Sequence, residues 1–166
     1  KRQLNSTVPT LPKDFPIAGF GTNESTKTCA FSCSKTLTSQ LLSKANHTYR
    51  TQINELLLAG VVLGVYNWTG HQGVQIKLEG HGREDVFNQL DITETVGWFT
   101  THYPLALYSE SMAVSDVVKT IKEQVRAVPM RGFGFGISQL TDSTLAWHEE
   151  NEPELTFNYL GQVTQN

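Results

Sequence analysis

Within the seven residues from Leu78 to Glu84, LEGHGRE, stand a carboxylate, an imidazole, a guanidinium and a second carboxylate: Glu79, His81, Arg83 and Glu84. A carboxylate partly removed from water can serve as a general acid or base, and a guanidinium beside it can orient it or balance its charge. The run follows directly on an alternating apolar stretch, so these groups stand at the end of a strand and are held more rigidly than on a free loop. If the alternation continues, Glu79, His81 and Arg83 share one face and Glu84 takes the other. A solvated charged turn, in which acid and base pair for structural reasons alone, is the competing reading of the same residues.

The element that delivers Glu79 is a strand over Val74 to Leu78, where Val74, Ile76 and Leu78 alternate with Gln75 and Lys77. Ahead of it, Thr51 to Trp68 reads as a helix. Ile53, Leu57, Val61 and Val65 form one stripe, and Leu56, Leu58, Val62, Leu63 and Tyr66 widen it until little polar face remains, so most of its sides require cover. Gly60 and Gly64 leave a smooth strip where another backbone could approach, at a cost of about 1 kcal/mol of helix propensity each, and Gly70 ends the helix.

Behind the charged motif, Asp85 to Glu94 is polar and reads as a surface excursion with a short helical turn around Val86 to Leu90. Gly97, Trp98 and Phe99 resume a buried segment. His102, Tyr103 and Pro104 end it before a strand at Leu105 to Tyr108. Ser115 is the expected cap of a helix to Arg126, with Val118, Ile121 and Val125 inward and Lys119, Lys122 and Glu123 outward. Leu155 to Leu160 is the last strand. At the other end, residues 1–26 hold Pro9, Pro12 and Pro16 and read as a linker or extended arm, with the rest of the domain from residue 27 to 166. Cys29, Phe31 and Cys33 alternate as in a half-buried strand over Lys27 to Ser34, and Thr36 is placed to cap a helix carrying Leu37, Leu41, Leu42 and Ala45. The predicted fold class is α/β: a two-layer sandwich, its sheet mixed or mostly antiparallel, with helices on one face. Pattern alone does not give the strand order.

Composition narrows the function. A chain of 166 residues fits one domain. The net charge of -3, with Lys and Arg scattered, argues against a nucleic-acid surface. No stretch reaches the roughly 18 apolar residues of a membrane span, and Leu56 to Tyr66 comes nearest. The opening Lys-Arg-Gln-Leu-Asn-Ser has no apolar signal core, and the lack of an initial Met suits a fragment. On a shared strand, Cys29 and Cys33 would stand roughly 13 Å apart, beyond the ~7 Å that a disulfide spans, so both are expected to be free thiols. His47, His71, His81, His102 and His148 show no metal-ligand spacing. Asn-x-Ser/Thr triplets at Asn5, Asn23, Asn46 and Asn67 are expected by chance in a chain rich in Ser and Thr. The glycines of Gly132-Phe133-Gly134-Phe135-Gly136 lack a nucleotide-loop spacing and are read as permitting close backbone approach.

Four collinear motifs carry a resemblance. EGHGRE with the following TVGWFT (Thr95 to Thr100) and Tyr103-Pro104 resembles the signature of the epimerization domains of nonribosomal peptide synthetases. YRTQINELLL from Tyr49 to Leu58 is similar to that family's YRTxxNDLLL helix, PMRGFGFG from Pro129 to Gly136 to its PxxGxGYG loop, and FNYLG from Phe157 to Gly161 to its FNYLG strand. Glu55 replaces the usual Asp, Glu94 stands where Arg is common, Phe135 replaces Tyr, and Gln162-Val163-Thr164 departs from the usual acidic ending. The family's HHxxxDG histidine motif does not occur here. The resemblance is therefore to the C-terminal lobe of a two-lobed, chloramphenicol acetyltransferase-like fold with its active site between the lobes.

The resemblance implies an isomerase chemistry. An L-aminoacyl or peptidyl thioester, tethered through phosphopantetheine to a peptidyl carrier protein, would lose its α-proton on one face and regain one on the other. Glu79 would be one acid/base group and a histidine of the missing N-terminal lobe its opposite; Arg83, Asn158 and Tyr159 would complete the site. Each has a structural alternative: an ion pair of Arg83 with Glu84 or Glu79, and a packed Asn-Tyr pair in a buried strand. His81 is read as a hydrogen-bonded structural residue. No cofactor or metal is expected on this lobe; the expected partners are the N-terminal lobe, the carrier protein and neighbouring synthetase modules, in the cytoplasm, without nucleic acid or membrane. An amide-forming condensation lobe and a non-catalytic lobe that docks carrier proteins are the alternatives, and half a site predicts that the isolated chain is inactive.

Overall fold

The computed structural model describes residues 8–15, 23–83, 91–92, 94–141 and 152–162. Its centre is a helix, α3 (Ile53–Thr69), whose residues Leu58, Ala59, Val62 and Val65 are buried against a three-stranded sheet. The sheet joins β1 (Gly73–Gly80), β2 (Thr101–Tyr108) and β3 (Leu155–Phe157) in the order β2-β1-β3. β1 pairs antiparallel with β2 and parallel with β3, so the sheet is mixed. Alternation sorts the two faces. Val74, Ile76 and Leu78 lie opposite Leu107, Leu105 and Tyr103, and all six are buried under α3 and α4 (Val114–Arg126), which adds Val117, Val118 and Ile121. The other face carries Gln75, Lys77 and Glu79 of β1 opposite Ala106, Pro104 and His102 of β2.

The long apolar helix is covered on one side rather than on most. Leu56, Val61 and Leu63 pack partly against the core, while Gly60 and Gly64 are exposed and a Cβ on either would meet nothing within 4 Å among the described residues. Gly70 ends the helix as expected, in the left-handed conformation at φ 77°.

Three boundaries and the direction of one side chain differ from the expectation. Pro104 lies inside β2, whose strand starts at Thr101 rather than Leu105; β2 is an edge strand, where the missing N–H need break no ladder. β3 stops at Phe157, leaving Asn158 and Tyr159 beyond the strand. Helix α4 starts on Ala113, and it is Ser111 that supports the turn: its hydroxyl donates to Asp116 at 2.9 Å and accepts the Ala113 N–H at 3.3 Å. On α4, Lys122 is half-buried and donates to the Tyr49 carbonyl at 3.3 Å instead of pointing outward.

The expected strand over Lys27 to Ser34 does not form. A strand needs a ladder partner, none of the described strands pairs with it, and Phe31 is 92% exposed. Cys29 and Cys33 are exposed free thiols. Ser34, not Thr36, caps the helix that follows, accepting the Leu37 N–H at 3.2 Å. α1 (Lys35–Gln40) runs through a π turn at Leu41–Ala45 into α2 (Asn46–Tyr49), with Leu41, Leu42 and Ala45 half-buried and Leu37 exposed. Among residues 8–15, Leu11 packs against the core, its N–H donates to Glu154 at 2.7 Å, and Lys13 pairs with the same carboxylate at 2.7 Å. The hydrogen bond from Lys13, chiefly, holds the Glu154 carboxyl below its ordinary range.

Candidate functional site

Glu79 is the penultimate residue of β1. The register sets it directly opposite His102 on β2, and the imidazole Nε2 stands 3.4 Å from Glu79 Oε2. Both side chains reach solvent, Glu79 at 29% exposure and His102 at 46%. On the other side of β1, Leu78 faces Phe157 of the parallel β3, so the chain leaves β3 at Asn158 beside the end of β1 that carries Glu79. Two of the motif residues, far apart in sequence, thus meet at one end of the sheet. Asn158 is exposed and Tyr159 half-buried. Next along the same face, Lys77 pairs with Glu152.

The alternation that would have aligned Glu79, His81 and Arg83 stops at Gly80. Gly82 takes φ 67°, and the chain turns back on itself: the Arg83 N–H donates to His81 Nδ1 at 3.0 Å. That bond ties the His81 ring into the turn. Arg83 then reaches across to the segment before β2. Its Nη1 donates to the Ile92 carbonyl at 2.6 Å, its Nη2 to the Thr95 carbonyl at 2.8 Å, and its guanidinium lies over the Phe99 ring, 4.3 Å from the centroid. Among the described residues Arg83 pairs with no carboxylate, so the expected pairing with Glu79 is corrected; Glu84 lies outside the described residues, as does the turn expected at Val86 to Leu90. The diverging N–H groups of one guanidinium serve both carbonyls at once.

The segment that Arg83 holds is not buried as expected. Phe99 is half-buried under the guanidinium, but Trp98 is 88% and Val96 99% exposed. On the buried face of the sheet, Gly132 takes φ 81° against the ring of Tyr103, which lies opposite Leu78: a Cβ there would fall 2.1 Å from the ring. This is the close approach expected of the glycine-rich loop, and it belongs to Gly132; Gly136 meets nothing within 4 Å. The preceding Met130 and Arg131 also have positive φ, 46° and 48°, within a tight turn at Pro129–Gly132.

One structural pair had no signal beyond its motif. Glu55, the residue that departs from the usual Asp, is 4% exposed; it accepts the Gln52 N–H at 2.8 Å at the start of α3. It also takes a forked contact from Arg126 of α4, Nε to Oε1 at 2.7 Å and Nη2 to Oε2 at 3.1 Å. The hydrogen bond it donates to Glu55, chiefly, raises Arg126 above its ordinary value. Arg126 donates further to the Arg50 carbonyl at 2.7 Å, tying α2, α3 and α4 at one corner. His102 was also missed, because only the strand register shows that it faces Glu79. Among the described residues no cluster of His, Cys, Asp and Glu is arranged to hold a metal, and no helix is long and apolar enough to cross a membrane.

Bacitracin synthase 2 of Bacillus licheniformis is 40% identical over 141 residues, 84% of this chain and 5% of that protein. Tyrocidine synthase 1 of Brevibacillus parabrevis is 38% identical over 156 residues, 92% of this chain and 14% of that protein. The chain thus spans a small part of these relatives. The crystal structure of the epimerization domain from the third module of tyrocidine synthetase B superposes with a TM-score of 0.84 at 39% identity, covering 96% of this chain and 36% of that one. The first condensation domain of the calcium-dependent antibiotic synthetase shares the fold, with a TM-score of 0.55 at 20% identity over 75% of this chain and 26% of that one. The sequence model of the condensation domain matches residues 1–166, and the chain belongs to the condensation-domain family.

Proposed function

We propose that this chain is the C-terminal lobe of a peptide synthetase epimerization domain, and that it converts a carrier-bound L-aminoacyl or peptidyl thioester to its D-epimer together with an N-terminal lobe supplying a histidine. The observation that carries the reading is the extent of likeness to a solved epimerization domain, over nearly the whole chain at an identity well above that to the condensation domain. Residues 1–26 would form the arm that leads from the other lobe. The substrate would reach the cleft on the phosphopantetheine of a peptidyl carrier protein, and neighbouring synthetase modules would supply and receive it.

The chemistry needs a base on one side of a weakly acidic Cα–H and an acid on the other, with polar groups near the developing enolate oxygen. Glu79 fits the first requirement: it ends a strand, is partly withdrawn from water, and lies on the face of the sheet away from α3 and α4. Asn158, beside the same strand end, can donate its amide toward an enolate, and Tyr159 follows it. Arg83 would serve by fixing the segment 92–99 beside the cleft.

Glu79→Gln in the synthetase polypeptide that carries this chain keeps the side-chain shape and removes the acid/base function. Epimerisation of a loaded carrier should fall by at least on the order of 10²-fold with the fold intact. Near-normal turnover would return Glu79 to a structural role. The 166-residue chain alone should leave the D/L ratio of the loaded carrier unchanged. The family match also admits an amide-forming lobe; adding an acceptor aminoacyl carrier to the same assay separates the two, since only that lobe would give peptide.

A further inference from the structure

We infer that His102 is the positioning residue for Glu79, an inference that rests on the proposed role of Glu79 as acid/base group. Glutamate is among the side chains with most rotamer freedom, and a group that moves a proton must be held to within a fraction of an ångström of its productive place. At 29% exposure Glu79 is not fixed by packing. Among the described residues the one polar partner recorded for its carboxylate is His102, at 3.4 Å.

The neighbouring cations are engaged elsewhere. Lys77, two residues earlier on the same face of β1, pairs with Glu152. Arg83 is committed to the carbonyls of Ile92 and Thr95 and to the Phe99 ring, and His81 accepts the Arg83 N–H. Across the strands, the same face of β2 offers Pro104 and Ala106, which carry no side-chain donor; Thr156 of β3 stands level with Lys77 rather than Glu79, and Asn158, which follows β3 at the level of Glu79, makes no hydrogen bond to its carboxylate. A residue directly opposite in an antiparallel pair has its Cβ about 5 Å away, so an imidazole there reaches a glutamate without bending either strand. Protonated, it attracts the carboxylate by charge; neutral, it can present an N–H. In either form it restricts Glu79 to the outer side of the sheet.

Two measurements test this. In the synthetase polypeptide, His102→Phe should lower kcat for epimerisation on the order of 10-fold with KM nearly unchanged, and His102→Gln, which returns a donor at similar reach, should recover most of the loss. A purely structural cross-strand contact would lower the melting temperature instead, and a wild-type kcat in His102→Phe overturns the inference. The second readout needs no turnover. In the 166-residue chain, side-chain scalar couplings of Glu79 should report one dominant rotamer, and averaged couplings in His102→Phe; averaged couplings already in the wild type overturn it. If Glu79→Gln leaves epimerisation intact while the couplings behave as expected, it is the catalytic assignment of Glu79 that fails and the contact that stands.

Discussion

A methyl group placed on Gly82 would stand 1.5 Å from the carbonyl oxygen of Phe99. The two segments that carry the charged motif and the tryptophan motif are therefore in backbone contact, and only a residue without a Cβ permits it. The positive φ of 67° points the same way. Gly82→Ala should destabilise the chain by about 2–4 kcal/mol, through strain and displacement of the Phe99 backbone. Gly60→Ala is the control. It meets nothing within 4 Å and lies inside α3, so helix propensity alone should stabilise the chain by up to about 1 kcal/mol. Chemical denaturation midpoints read both; equal midpoints for Gly82→Ala and wild type would refute the close approach.

Arg83→Lys keeps the charge and loses the fork. An ammonium can serve one of the two carbonyls, at Ile92 or Thr95, and stacks less well on Phe99. The segment before β2 should loosen, seen as faster amide exchange and earlier proteolytic cleavage near Trp98, with a global loss of only about 1 kcal/mol. Unchanged exchange at Thr95 to Phe99 would show that the guanidinium does not hold the segment.

How much of this was legible depended on whether a signal was local. The helix over Ile53–Thr69, its Gly70 stop, and the strand leading into Glu79 follow from periodicity and one cap, all within a few residues. The strand expected over Lys27 to Ser34 had the same alternation but no ladder partner, which no local pattern reports. Trp98, expected in a buried segment with Gly97 and Phe99, stands 88% exposed, while Phe99 lies half-buried beneath Arg83. Within the site, Glu79 was visible in its motif. His102 was not, because its significance lies in a register across twenty-three residues of chain.

The corner where Arg126 meets Glu55 should report on stability rather than chemistry. Glu55→Gln keeps the volume and leaves a guanidinium facing an amide. Because Arg126 is half in solvent, the loss should fall below that of a fully buried pair and show as a lower Tm. Arg126→Leu should cost at least as much, leaving Glu55 buried without its partner. If each single change cost what the double change costs, the pair would act as one unit; strict additivity would dismiss the contact.

Acid should release the arm. The folded-state pKa of Glu154 is lowered, first by the hydrogen bond from Lys13 and then, against the opposing effect of burial, by the Leu11 N–H. A lowered carboxyl contributes stability that is fully present above its unfolded pKa, near 4.5, and is lost as pH falls through the folded value. The carboxylate is partly exposed, so the contribution is at most about 1 kcal/mol. The stability difference between wild type and Glu154→Gln should accordingly be constant above about pH 5 and shrink toward zero below it. A difference that grew on acidification would have the wrong sign for this contact.

Tyr159 is where function and packing compete most evenly. It lies just beyond β3, half-buried, and among the described residues its hydroxyl has no recorded partner. Phe keeps the ring and its packing, and a hydroxyl that bonds nothing contributes little to the fold. Tyr159→Phe should therefore leave Tm within about 1 °C of wild type. If the hydroxyl serves the reaction beside Glu79, turnover by the synthetase polypeptide should fall with that unchanged melt. A lower Tm with undiminished turnover of the folded fraction would reverse both expectations and remove Tyr159 from the site.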